Sequence, residues 1–269
     1  MGLFYNENKP GKGVEKENEN YRPHVRFLKI FYRKTWELTK LNLLYLMFIL
    51  PTFLVVFFLS GIITSDVSYG ATNPNAVLYE ITIRIVISSF FTVFWGMGPA
   101  TSGLTKVLMK YVREEHSFVL SEFIGAIKGN FKQSLYVYII DLAAFVVLYA
   151  GLQFYGNIPG IVGLILTILI ISIILVYTMM HFYIYPIMIT YDLKLKYIYR
   201  NSLIYTIGKL PRTLLAFIIL LVIHIGTVYV IMNFSIGVLV MLLGTSILYA
   251  LSGFIINFNV YENMKKLKE

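Results

Sequence analysis

The chain contains no cysteine. That excludes disulfides, thiolate metal sites, iron–sulfur clusters and cysteine nucleophiles. Charge is scarce as well: 14% of residues are charged, and Asp and Glu number 14 against 23 Lys and Arg. So little charge falls well short of what covers a soluble domain. Nucleotide and catalytic signatures are missing too. There is no GxSxG, no Walker A, no GxGxxG on a strand and no HExxH. Gly208–Lys209–Leu210 is not a P-loop, because Leu stands where Ser or Thr is needed and no Gly-rich lead precedes it. The four histidines lack paired metal spacing. An enzyme, a cofactor and a metal are therefore not expected.

What is present is hydrocarbon. Hydrophobic residues make up 58% of the 269, and the mean hydropathy is +0.72. Six apolar runs stand out, at about 41–63, 81–100, 135–155, 161–184, 214–232 and 236–256. Each is about the 20 residues that an α-helix needs to cross a bilayer. The basic residues form a comb between alternate pairs of runs. One group, from Lys9 to Lys40, precedes the first run. Lys106, Lys110, Arg113, Lys128 and Lys132 lie between the second and third. Lys194, Lys196, Arg200, Lys209 and Arg212 lie between the fourth and fifth, and Lys265, Lys266 and Lys268 follow the sixth. The other three connections hold only Arg84, beside Asp66 and Glu80. Cytoplasmic loops retain Lys and Arg, so both termini are expected inside. The net charge of +9 then reflects topology and anionic inner-leaflet lipid, not nucleic acid.

Residues 1–22 are too polar to order themselves and read as a cytoplasmic tail, leaving 23–269 as the membrane domain. From His24, apolar residues recur at helical spacing with Trp36 among them. This reads either as an amphipathic helix on the inner leaflet or as the helical start of the first span. The first run is expected to act as an uncleaved anchor. Pro51 predicts a kink within it. Gly70, Asn73 and Pro74 predict a turn in the first outer loop. From Gly160 to Thr190 nothing is charged except a protonated His181. A straight helix of that length reaches about 46 Å, so it must tilt, kink near Pro186 or protrude. FIGAIKGNFKQSL at Phe123–Leu135 parallels SLIYTIGKLPRTL at Ser202–Leu214. With a further elbow at Leu41–Asn42, the chain reads as an all-α transmembrane bundle. Its six spans form three helical hairpins, each introduced by a cytoplasmic elbow helix.

Few ionisable groups fall within the spans. They are Asp141 in the third, His181 near the inner end of the fourth and His224 near the middle of the fifth. A carboxylate in a membrane is costly and needs a partner or a water-filled path. Asp141 is therefore either packing glue between helices, or a proton or cation site completed by His181 or His224. The segment GMGPATSGLTKV at Gly96–Val107 is the most distinctive. Gly96, Gly98, Ala100, Ser102 and Gly103 are small, Thr101 lies among them, and Pro99 removes a backbone donor. The segment reads as a close helix crossing and exit, or as a hinge or gate. Glu114, Glu115 and His116 read as a solvated helix end, since adjacent residues do not share a helix face.

GPATSGLTKVLMKYVREEHSF followed by FIGAIKGNFKQSL resembles the hallmark block of the YesL-like bacterial membrane proteins. YIYPIMITYD at Tyr183–Asp192, LPRTLL at Leu210–Leu215 and FYRKTWELTKLNLLYLMFILP at Phe31–Pro51 are similar to the same family. Ser102 and Gly103 depart from it, standing where small Ala residues are usual. The resemblance implies six spans in the plasma membrane of a bacterium. It also implies a link to carbohydrate ABC importers, as an accessory subunit or partner of the permease. Lys106, Lys110, Arg113, Asn130, Lys132, Arg200 and Arg212 would then face that partner or lipid. The alternative is an autonomous secondary transporter or channel with Asp141 in its pathway.

Overall fold

The computed structural model describes the backbone of residues 21–64, 76–233 and 237–265, with side chains at 21–62, 80–230 and 247–264. The turn expected at Gly70–Pro74, most of the tail, the connection at 234–236 and the residues from Lys266 onward lie outside them. Every described element is helical. The order is α1 (Pro23–Leu59), α2 (Gly61–Thr64), α3 (Ala76–Phe94), α4 (Pro99–Val112) and α5 (Val119–Gly156). Then come α6 (Gly160–Thr190), α7 (Leu195–Gly208), α8 (Leu210–Asn233) and α9 (Gly237–Lys265).

Among the described residues, α1, α5, α6 and α8 are each long and apolar enough to cross a membrane. The bent pair α3–α4 makes a fifth candidate if it is one broken span. These helices mark a multi-pass membrane protein. Their outer faces fit that reading: α6 exposes Ile161, Leu164, Ile168 and Ile171, which a soluble protein would bury.

Pro23 opens α1 at a position where its missing N–H costs nothing. The helix then runs unbroken for 37 residues, about 55 Å. Ile30, Leu38, Leu41, Tyr45, Ile49 and Val56 form its buried stripe, while Trp36, Met47 and Phe58 face out. The segment from His24 is thus the start of the first long helix, with no separate elbow at Leu41–Asn42. The second expected elbow is absent as well, because α5 continues from Val119 to Gly156. Two polar side chains there turn back on their own helix, while Gln133 donates to the Leu193 carbonyl at 3.0 Å. Asn130 donates to the Ala126 carbonyl, and Ser134 donates to the Asn130 carbonyl. Nothing removes a backbone bond. At the third position the helix is interrupted: α7 ends at Gly208 and α8 begins at Leu210. Pro211 lacks the N–H that would continue the hydrogen-bond ladder of α7, and it is accommodated in the first turn of α8.

The second apolar run also differs from expectation. It ends at Phe94, and Trp95–Gly98 form an irregular break before α4, which departs at 50°. Gly96 has φ 88° and Gly98 has φ 61°, conformations that glycine adopts without steric cost. Pro99 then starts α4 in a first-turn position. Ten of the 14 residues of α4 are buried, because α1, α5, α6 and α9 all pack on it. A helix this enclosed sits inside the bundle, so the Gly96–Gly103 segment is a break that turns the chain inward and not an exit. Close approach follows at Gly103, where a Cβ would meet the Phe123 carbonyl oxygen at 2.9 Å. The second half of α6 lies against α4, with every residue from Thr178 to Met188 buried. Helix α6 passes through Pro186 without a break.

Candidate functional site

Asp141 sits just past the middle of α5 with no solvent exposure. Tyr177 and His181, one helical turn apart on α6, both reach it. The Tyr177 hydroxyl donates to Asp141 Oδ1 at 2.8 Å. His181 Nε2 lies 2.8 Å from the same oxygen, and His181 Nδ1 lies 2.9 Å from the Tyr177 carbonyl. A carbonyl can only accept, so Nδ1 carries a hydrogen. Nε2 then either donates from a doubly protonated ring or accepts from a protonated Asp141. In both cases the pair holds one proton between its members and is neutral as a unit. Neutrality suits a site that would otherwise bury a bare charge. Asp141 Oδ2 has no hydrogen-bond partner among the described residues.

Aromatic side chains wall the pair. Trp95, the first residue of the break, stacks on His181 with centroids 5.8 Å apart and planes 18° apart. Its indole N–H donates to Thr178 Oγ1 at 2.9 Å, which fixes the ring. Tyr199 of α7 also lies close to the pair. Burial first, and then the nearby Asp141 carboxyl, push its phenol above the usual range, while a contact with Tyr177 opposes the shift. The Tyr199 hydroxyl completes no hydrogen bond of normal geometry there.

The break has its own polar support. Thr101 Oγ1 accepts the Met97 N–H at 2.6 Å and lies 3.0 Å from the Tyr45 hydroxyl. A cavity of about 40 Å³ lies beside it, lined mostly by apolar groups but touched by Tyr45, Thr105, His181, Tyr185, Tyr249 and Asn257. That is room for a water or two.

The structure therefore joins Asp141 and His181 and excludes His224 from the group. His224 projects from α8 beside Phe90 and Phe94, at centroid distances of 5.8 and 6.4 Å. Ala100, Ser102 and Gly103 pack within the core. The basic residues scatter along the loop-side face. Lys110 pairs with Glu122, Arg212 reaches Asn263 at 3.5 Å, and Lys132 and Arg200 are exposed while Lys106 and Arg113 are half-buried. The Glu114–His116 segment is not a solvated helix end throughout. The Glu114 side chain is 5% exposed and pairs with Arg26 and Arg33. Sequence reasoning missed Arg26, Trp95, Tyr177 and Tyr199. Tyr177 and His181 share a helix face at i,i+4 spacing, which is the one signal that would have linked them.

These features define a multi-pass helical membrane protein with a broken helix and a buried acid–imidazole pair at its core. Residues 38–152 match a family described as "Protein of unknown function, DUF624". The matched stretch includes the break, α4 and Asp141, and it stops before His181. No curated protein and no solved structure matches the chain.

Proposed function

We propose that this chain is a non-enzymatic accessory component of carbohydrate uptake in a bacterial plasma membrane. It crosses the bilayer six times, through α1, α3, α5, α6, α8 and α9, with both termini in the cytoplasm. The carrying observation is the closed core around α4. The cavity there, about 40 Å³, has room for a water or two but not for a sugar, which favours a role in uptake exerted through another protein. The resemblance to the YesL-like family supplies the carbohydrate link, and the basic comb supplies the orientation. Helix α7 offers a contact face, exposing Tyr197, Leu203, Ile204 and Ile207 near Lys194, Lys196 and Arg200. A permease subunit of a sugar ABC transporter is the partner. Affinity purification from native membranes, at native expression, is expected to recover permease or ATPase subunits with it. Recovery of the protein alone would overturn the reading.

A second reading draws on the broken helix. Discontinuous helices and unwound backbone near the bilayer centre form the sites of many secondary transporters. Here the break lies against His181 and its shared proton, which favours proton-coupled transport. Asp141→Asn keeps an oxygen acceptor and a donor in place and is expected to cost only about 1–2 kcal/mol of stability. Asp141→Leu leaves both partners unpaired and is expected to cost about 3 kcal/mol or more. Proton flux into proteoliposomes separates the roles, since a packing pair leaves flux unchanged in Asp141→Asn and a pathway loses it.

A further inference from the structure

Away from the acid–imidazole pair, an apolar groove of about 540 Å³ opens between α3, α5, α6 and α8. Its size falls within the roughly 300–1,000 Å³ of small-molecule sites. Phe90, Phe91, Phe145, Leu148 and Leu221 form much of the wall, with Trp95 also lining it. Ile225, 57% exposed, stands at its edge, so the groove is reached sideways from the bilayer. Three polar side chains touch it. The Trp95 N–H is taken up by Thr178, and the Tyr149 hydroxyl accepts a bond from Gln153. His224 is different. It is 4% exposed, and neither ring nitrogen has a hydrogen-bond partner among the described residues. The Val86 carbonyl approaches the ring without completing a bond of normal geometry.

We propose that this groove binds a neutral lipophile carrying one hydroxyl or carbonyl group, which His224 hydrogen-bonds. The chemistry of the walls selects each part of that ligand. His224 stands about 21 Å along α8 from Leu210 by helix rise, deep enough in a span that a charged headgroup could not be accommodated cheaply. Neutral imidazole offers one donor and one acceptor, so an alcohol or a ketone satisfies it equally well. Apart from the Tyr149 O–H, which only accepts from Gln153, the surrounding wall is apolar, so the body of the ligand is hydrocarbon. A plain acyl chain would fill the groove and leave the imidazole unpartnered. The aromatic rings at Phe90, Phe91 and Trp95 favour a flat or unsaturated body over a saturated chain.

Trp95 provides the readout. The chain has two tryptophans, and Trp36 is an exposed residue of α1. Trp36→Phe therefore leaves Trp95 as the only indole. In phosphatidylcholine vesicles, 10-bromodecan-1-ol is expected to quench Trp95 saturably, while 1-bromodecane quenches it only in proportion to its concentration in the bilayer. His224→Phe should raise the half-saturating mole fraction of the alcohol about tenfold, the factor that matches one hydrogen bond of about 1.4 kcal/mol. His224→Gln, which keeps a donor and an acceptor, should restore most of the affinity. Equal saturation by both probes would mean an ordinary acyl crevice and would sink the proposal. Linear quenching by both, or no effect of His224→Phe on the alcohol, would do the same. The comparison of the two probes on unaltered His224 stands even if a variant fails to fold.

Discussion

Arg26→Ala is expected to destabilise the detergent-purified protein by about 3–5 kcal/mol, the usual cost of stripping one partner from a buried ion pair. Arg26 is 5% exposed although it lies near the start of α1. Its Nη1 donates to Glu262 of α9 at 2.8 Å, and its Nη2 donates to the Val112 carbonyl at the end of α4 at 3.0 Å. Its Nε lies 3.7 Å from Glu114. The guanidinium also sits over the rings of Phe258 and Tyr261. One planar fork thus ties three helices together where the loops carry most charge. Lysine offers a compact point charge and cannot reach all three acceptors, so Arg26→Lys should recover only part of the loss. Glu114 retains Arg33 in either variant, which leaves Glu262 and the Val112 carbonyl as the groups stranded. Thermal unfolding against Arg113→Ala as a half-buried comparison is the check. Equal midpoints for the two variants would mean that the network contributes little.

Gly98→Ala is expected to cost about 2–4 kcal/mol, through backbone strain and overpacking together. Gly98 caps α4 at φ 61° and ψ −126°, a region that L side chains avoid. An added Cβ would stand 3.0 Å from Tyr138 Cβ and 3.3 Å from the Ser134 carbonyl oxygen. Both belong to α5, which is held there by the bond from the Tyr138 hydroxyl to the Thr52 carbonyl. Neither neighbour is the free end of a flexible chain, so the strain has no cheap outlet. Gly125→Ala is the contrast. It lies on α5 with nothing within 4 Å of an added Cβ, and it should stabilise by up to about 1 kcal/mol through helix propensity. A Gly98→Ala protein with an unchanged unfolding midpoint would show that the break tolerates ordinary backbone and is not fixed by glycine.

Both predictions rest on features that were only half legible beforehand. The GMGPATSG string announced a special backbone, since two glycines before a proline have few other uses. It did not say that the chain turns inward, because that depends on which helices stand ready to enclose α4. Arg26 read as one more inner-leaflet cation. Its burial requires Glu114 and Glu262, 88 and 236 positions away in the chain (114 − 26 and 262 − 26), and no local pattern encodes such a meeting. The elbows failed for a related reason. Similar strings at 123–135 and 202–214 suggested equal structures, but only the second contains a proline that interrupts hydrogen bonding.

The sequence by itself determined the class of molecule. Long apolar runs must be helical in a membrane because every backbone group there needs an internal partner, and the basic comb limits how those helices can be oriented. It also named Asp141 and His181 as groups too costly to bury without cause. Tertiary structure alone decided that His181 meets Asp141, with Tyr177 on the same carboxylate oxygen, while His224 faces a separate apolar groove. The physical reason is range. Helix formation and membrane insertion are read from neighbours in the chain, whereas pairing, cavity shape and burial depend on which faces of distant helices meet.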